Sequence, residues 1–122
     1  MSKINILVAE DNDMNQLLIK TILENNDYDV FIAKNGLLAC EELKKNMNFY
    51  SIILMDIMMP VMNGYEASQE IRKNIDKEIP IIAVTADVTS NVKEKCSNSG
   101  MTDYISKPYN AELLLKMILS YL

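Results

Sequence analysis

Residues 51–56 read Ser-Ile-Ile-Leu-Met-Asp, a short apolar run that ends in a carboxylate. Residues 4–11, Ile-Asn-Ile-Leu-Val-Ala-Glu-Asp, have the same form and end in two carboxylates. Short, nearly continuous apolar runs are typical of strands that are buried on both faces, as in a parallel sheet. The two stretches therefore predict interior strands that bring acidic side chains to one edge of a sheet.

Apolar runs of this kind alternate along the chain with segments whose apolar residues recur every three or four positions, which predicts helices. The predicted strands are Ile4–Ala9, Tyr28–Ala33, Ser51–Met55, Pro80–Thr85 and Thr102–Ile105, and the predicted helices are Met14–Asn26, Leu37–Lys45, Tyr65–Asn74, Ser90–Ser99 and Ala111–Tyr121. Asp13 and Asn110 are suited to cap the first and last helices, and Gly100 fits the left-handed position after the fourth. The alternation predicts an α/β fold with a flavodoxin-like doubly wound parallel sheet, strand order 2-1-3-4-5, in three layers.

The composition limits the possible functions of the chain. Its 122 residues with 49% hydrophobic content suit one domain, 1–122, with a buried core. A formal charge of -5 without a Lys/Arg cluster argues against direct nucleic-acid binding, and the absence of histidine excludes His-type zinc sites and His-based acid–base catalysis. Cys40 and Cys96 are expected to be reduced thiols.

No apolar stretch approaches the roughly 20 residues that span a bilayer, and nothing near residue 1 resembles a signal peptide. We therefore expect a soluble, cytoplasmic protein that does not insert into membranes.

The carboxyl ends of the predicted strands carry the candidate site. The first strand ends in Glu10 and Asp11 and the third in Asp56, and in the 2-1-3-4-5 order these strands are neighbours. Three clustered carboxylates favour a hard cation, and Mg²⁺, which keeps phosphate and water oxygens among its ligands, is the natural choice. Thr85 and Lys107 end the fourth and fifth strands with a hydroxyl and an ammonium suited to phosphoryl oxygens. Each residue alone has an ordinary structural explanation, but the set predicts phosphoryl transfer to a carboxylate nucleophile.

These segments resemble the response-regulator receiver domain of two-component signalling over essentially the whole chain. Residues 7–12 (Leu-Val-Ala-Glu-Asp-Asn) match the acidic pair of that family and residues 56–64 (Asp-Ile-Met-Met-Pro-Val-Met-Asn-Gly) its phosphoacceptor loop. Residues 84–86 (Val-Thr-Ala) and 103–108 (Asp-Tyr-Ile-Ser-Lys-Pro) match its hydroxyl, switch aromatic and lysine. The resemblance implies the same fold and a phosphoacceptor switch, with self-catalysed phosphorylation and dephosphorylation rather than turnover of a substrate.

The resemblance also implies roles for individual residues. Asp56 would accept a phosphoryl group from a phosphohistidine on a histidine kinase or a histidine phosphotransfer protein. Asp11, Asp56 and the Met58 backbone carbonyl would bind Mg²⁺, with Glu10 acting through water. Thr85 and Lys107 would bind phosphoryl oxygens, and the Lys107–Pro108 bond is expected to be cis.

The resemblance further implies a conformational switch and two tuning positions. Phosphorylation would draw Thr85 inward and let Tyr104 turn, which changes the surface of helix 4, strand 5 and helix 5 for an output partner that the sequence does not identify. Met58 and Asp87 would border the attacking water and tune the acyl-phosphate lifetime. Residues 12, 15 and 16 (Asn, Asn and Gln) are similar to receivers of hybrid sensor kinases.

Three other functions are compatible with the fold. A Mg²⁺-dependent phosphatase of the haloacid-dehalogenase type shares the aspartate nucleophile, but it needs an acid two residues later, where Met58 stands. A nucleotide- or flavin-binding module needs a glycine-rich phosphate loop, and the glycines at 36, 64 and 100 form none. A receiver-like domain that is never phosphorylated should lack members of the acidic, hydroxyl and lysine set.

Overall fold

The computed structural model describes residues 4–86, 89 and 91–122, which form a parallel five-stranded sheet flanked by five helices. The elements are β1 (Asn5–Ala9), α1 (Asp13–Glu24), β2 (Asp29–Ala33), α2 (Gly36–Lys45), β3 (Ile52–Asp56), α3 (Gly64–Asn74), β4 (Ile81–Thr85), α4 (Val92–Asn98), β5 (Asp103–Ser106) and α5 (Ala111–Ser120). The strand order is β2-β1-β3-β4-β5. The predicted doubly wound fold and its order are therefore confirmed.

Two apolar cores lie on opposite faces of the sheet because successive strand side chains point to opposite sides. Leu7, Ile53 and Ile81 share one core with residues of α2, α3 and α4. Ile6, Ile52 and Ile82 share the other with residues of α1 and α5. Each fully buried Leu or Ile contributes roughly 1.5–3 kcal/mol, so the interior strands β1, β3 and β4 anchor the fold.

Asparagine side chains begin four of the helices. The prediction that Asp13 caps α1 is wrong: Asn12 has extended backbone angles and accepts a hydrogen bond from the Asn15 backbone N–H, and Asp13 is the first helical residue. The prediction for Asn110 is confirmed, because its side chain accepts from the Leu113 N–H. Asn35 and Asn63 cap α2 and α3 in the same way.

The shortest helix, α4, is shorter at both ends than predicted. It covers seven residues and begins at Val92, and its N-cap residue Asn91 makes no side-chain capping bond. Gly100 follows the helix with φ of 88°, a left-handed conformation that favours glycine, as predicted. Cys40 and Cys96 are both buried, reduced thiols. Within the described part of the chain, no helix has the length and apolar character needed to cross a bilayer.

Candidate functional site

The sheet brings Glu10 and Asp56 together at the carboxyl edge of two paired strands. Val8 pairs with Leu54 in the β1–β3 ladder, and both side chains lie in the core beneath α1 and α5. Glu10 and Asp56 each follow two residues later, so alternation sends them to the same face. Both are buried, with only 5% and 6% of their surface exposed. The pair is therefore fixed by strand register.

Asp11 completes a cluster of three carboxylates. One oxygen from each of Glu10, Asp11 and Asp56 lies within 4.8 Å of the others, and Asp11 is the exposed member. The grouping that the sequence predicted is thus present, with two carboxylates inside and one at the surface. Carboxylates at this spacing suit a hard divalent ion with oxygen ligands.

Lys107 is the cation that faces the buried pair. Its Nζ lies 3.4 Å from Glu10 Oε2 and 3.3 Å from Asp56 Oδ2. Its backbone N–H donates to the Thr85 carbonyl at 2.7 Å, and the Lys107–Pro108 bond is cis, as predicted. One ammonium lies against three carboxyl groups, so full ionisation of the cluster would leave two negative charges in excess.

The surroundings of Asp56 change the pKa of its carboxyl group. Its pKa is raised from 3.8 to about 7, first by burial and then by the hydrogen bond and charge of Glu10, while Lys107 opposes both. Burial next to a second carboxylate thus favours the protonated form of Asp56 over the ionised form. A divalent cation would supply positive charge, so the donor set fits Mg²⁺ both in ligand type and in electrostatics.

The loop after β3 turns away from Asp56 through a tight backbone contact. The Met58 N–H donates to Asp56 Oδ1 at 3.3 Å, and the Gly64 N–H donates to the Ile57 carbonyl at 2.8 Å. A Cβ at Gly64 would collide with the Asp56 carbonyl oxygen, so a larger residue there would force the backbone to shift. The Met58 side chain is 77% exposed and stands at the rim of the site.

Thr85 and Tyr104 lie on the neighbouring strands β4 and β5. Thr85 is the buried last residue of β4, two positions after Ala83, which belongs to the core beneath α2, α3 and α4. Tyr104 is half-buried and packs against that same core. The two predicted switch residues therefore share a face. Asp87, the second predicted tuning position, lies outside the described residues.

Glu10 has polar partners at the site that the sequence interpretation missed. The Asn12 backbone N–H and the Asn15 side-chain amide donate to Glu10 Oε1 at 3.3 Å and 3.1 Å. The Gln16 side-chain amide donates to the Glu10 carbonyl at 2.7 Å. In the sequence, the amide residues at 12, 15 and 16 indicated only a similarity to the receivers of hybrid sensor kinases.

A cavity of about 360 Å³ opens beside the buried carboxylates, between α1 and the segment that follows β5. Its walls include Leu18, Ile19 and Tyr109, and its polar end is formed by Glu10, Asp56 and Lys107. Burial and the negative charge of Glu10 raise the pKa of Tyr109. Nothing in the sequence pattern had singled out Tyr109.

A sequence profile described as "Response regulator receiver domain" matches residues 6–119. The hybrid signal transduction histidine kinase I of Dictyostelium discoideum is 48% identical over 93% of this chain, which corresponds to 7% of that protein. The chain spans between 5% and 16% of the length of eight similar curated proteins, this kinase among them.

Two solved structures are similar over almost the whole chain. The receiver domain of the sensor histidine kinase PA1611 from Pseudomonas aeruginosa, with a magnesium ion coordinated in its active site cleft, is 34% identical, with a TM-score of 0.89 and 98% coverage of both chains. The second is a chain of a Saccharomyces cerevisiae co-crystal structure, which contains the histidine phosphotransfer signaling protein Ypd1 and the receiver domain of its downstream response regulator Ssk1. That chain is 32% identical, with a TM-score of 0.88, and the match covers 98% of this chain and 88% of the other.

Proposed function

This chain belongs to the response regulator receiver domain family of two-component phosphorelays, and we propose that Asp56 is its phosphoacceptor in a Mg²⁺-dependent reaction. The observation that carries the proposal is the position of Asp56. Its carboxylate ends β3 beside Glu10, and Lys107 Nζ lies 3.3 Å from it. A carboxylate so placed is a nucleophile with positive charge at hand for the incoming group.

In the proposed reaction, an Asp56 carboxylate oxygen attacks the phosphorus of a phosphohistidine on a partner. A P–O bond forms, the P–N bond breaks, and the imidazole leaves with the electron pair and takes a proton from solvent. The Lys107 ammonium and the Thr85 hydroxyl bind the phosphoryl oxygens. Positioning and charge neutralisation supply most of the catalysis in such transfers.

Mg²⁺ would be held by Asp11, Asp56 and the Met58 backbone carbonyl, with Glu10 acting through water. When bound, the ion neutralises the carboxylates and the charge of the transferred group. The carboxylate cluster and the magnesium in the P. aeruginosa receiver domain support this assignment.

We propose further that phosphorylation draws Thr85 toward the new oxygens and lets Tyr104 turn, which alters the surface formed by α4, β5 and α5. Their common face of the sheet supports this coupling. Met58 and Asp87 are proposed to tune the lifetime of the acyl phosphate, and the exposed Met58 side chain is free to limit water access.

The phosphodonor is proposed to be a histidine kinase or a histidine phosphotransfer protein, and the parent protein a hybrid kinase. The similarity to a D. discoideum hybrid kinase and to a receiver solved with Ypd1 supports both proposals.

The proposal is tested by incubating the protein with Mg²⁺ and acetyl phosphate and measuring the intact mass. We expect one added phosphoryl group in the wild type, none in Asp56→Asn, none with EDTA, and unchanged labelling in the control Asp76→Asn, which lies just beyond the end of α3. Equal labelling of Asp56→Asn would place the site elsewhere. Sustained hydrolysis of p-nitrophenyl phosphate would instead favour the phosphatase.

A further inference from the structure

The first turn of α1 presents an amide side chain to the metal-binding cluster. Asn15 Nδ2 donates to Glu10 Oε1 at 3.1 Å, and the same oxygen accepts from the Asn12 backbone N–H at 3.3 Å. The other oxygen, Oε2, faces Lys107 at 3.4 Å. The two oxygens of Glu10 therefore have separate partners, neutral donors on one and the ammonium on the other.

We propose that Asn15 is a positioning residue for Mg²⁺ binding, which acts by fixing the rotamer of Glu10; this inference rests on the proposed function. By holding Oε1, the Asn15 amide leaves Oε2 beside Lys107 Nζ, which also lies 3.3 Å from Asp56 Oδ2. Asn15 itself does not contact the ion.

A glutamate at this position needs such a partner more than an aspartate would. Glu10 has one methylene more than aspartate, so ordering its side chain costs more conformational entropy. A neutral amide fixes the carboxylate without adding a positive charge that would compete with the ion, whereas a lysine in place of Asn15 would compete. Partners that orient metal ligands in this way typically change affinity 10–100-fold when they are removed.

The role of Asn15 in the helix can be separated from its role at Glu10, because different atoms serve them. Its backbone N–H donates to the Asn12 cap, whereas only its side chain reaches Glu10. The variant Asn15→Ala keeps the capping bond and introduces a strong helix former. The matched control is Asn26→Ala. Asn26 lies just beyond the C-terminal end of α1, and its side-chain amide donates to the Ile22 carbonyl.

The test is calorimetric titration of metal-free protein with MgCl₂ in five proteins: wild type, Asn15→Ala, Glu10→Asp, the double variant and the control Asn26→Ala. We expect Asn15→Ala to weaken binding about tenfold in the wild-type background. In Glu10→Asp, the shorter carboxylate no longer reaches the Asn15 amide. Adding Asn15→Ala to this variant should therefore change its Mg²⁺ affinity less than about twofold. Asn26→Ala should bind Mg²⁺ like the wild type.

The outcomes separate this inference from the proposed function. Wild-type protein that binds no Mg²⁺ would overturn both. If the wild type binds Mg²⁺ and Asn15→Ala binds it equally well, only the positioning role is overturned. The positioning role is also overturned if Asn15→Ala lowers Mg²⁺ affinity by the same factor in the wild-type and Glu10→Asp backgrounds. Urea unfolding of each variant in EDTA shows whether a weakened affinity reflects a damaged fold.

Discussion

Replacing Asp56 with asparagine should stabilise the metal-free protein at alkaline pH. Burial and Glu10 raise the pKa of Asp56 from 3.8 to about 7, so the folded protein resists ionising this carboxyl while the unfolded chain does not. Below pH 3.8 the group is protonated in both states and costs nothing. As the pH rises from 3.8 toward 7, the unfolded chain releases the proton first and stability falls. Above a pH of about 7 the full cost is present.

The magnitude follows from the size of this increase in pKa. A rise of about three pKa units corresponds to a ceiling of roughly 4 kcal/mol, and relaxation around a buried charge lowers the expected gain to about 2 kcal/mol. The neutral amide of Asp56→Asn keeps an oxygen for the Met58 N–H. We expect the free energy of unfolding of Asp56→Asn to exceed that of the wild type by about 2 kcal/mol at pH 8 and to equal it near pH 4.

Urea denaturation in EDTA at pH 8 and pH 4 measures this difference in unfolding free energy. Glu41→Gln, which neutralises an exposed carboxylate of α2, is the control and should change stability by less than about 0.5 kcal/mol. Adding Mg²⁺ should raise the stability of the wild type but not of Asp56→Asn, because ligand binding to the folded state stabilises it. An unchanged or lower stability of Asp56→Asn at pH 8 would refute the reasoning.

Three further predictions concern the same site. Mg²⁺ affinity should rise with pH through about 7, because the proton on Asp56 competes with the ion, and calorimetric titrations at pH 6 and pH 8 check this; equal affinities would contradict it. Lys107→Met should destabilise the metal-free protein by about 1–3 kcal/mol at pH 8, because Glu10 and Asp56 lose the ammonium between them. Urea unfolding measures this loss of stability, with Lys45→Met as the control. Gly64→Ala should cost about 1–3 kcal/mol because its Cβ meets the Asp56 carbonyl, whereas a melting temperature equal to the wild type would show that the loop yields freely.

Much of the fold could be predicted because the strands carry their signal locally. The run Ile52–Asp56 is apolar on both faces, which indicates an interior parallel strand, and the structure buries every residue in it. The meeting of Glu10 with Asp56 followed from the neighbouring positions of their strands. Helix ends were less predictable, since Asn12 and Asp13 are both good caps and only the backbone angles decide between them.

Side-chain partners across the site could not be predicted in the same way. Asn15 reaches Glu10 only because the chain turns at Asn12 and starts a helix whose first turn faces the strand end. The lining of the cavity by Tyr109 likewise depends on how the segment after Lys107 packs against α1. Such contacts are set by three-dimensional geometry rather than by spacing along the chain.

The central claim is that Asp56 takes the phosphoryl group from a histidine donor. The direct measurement is to phosphorylate the protein with a phosphorylated histidine phosphotransfer protein and Mg²⁺, reduce the acyl phosphate with borohydride, and map the product by peptide mass spectrometry. We predict homoserine at position 56, absent when Mg²⁺ is chelated. Reduction at Asp11 or at another aspartate, with position 56 intact, would contradict the account.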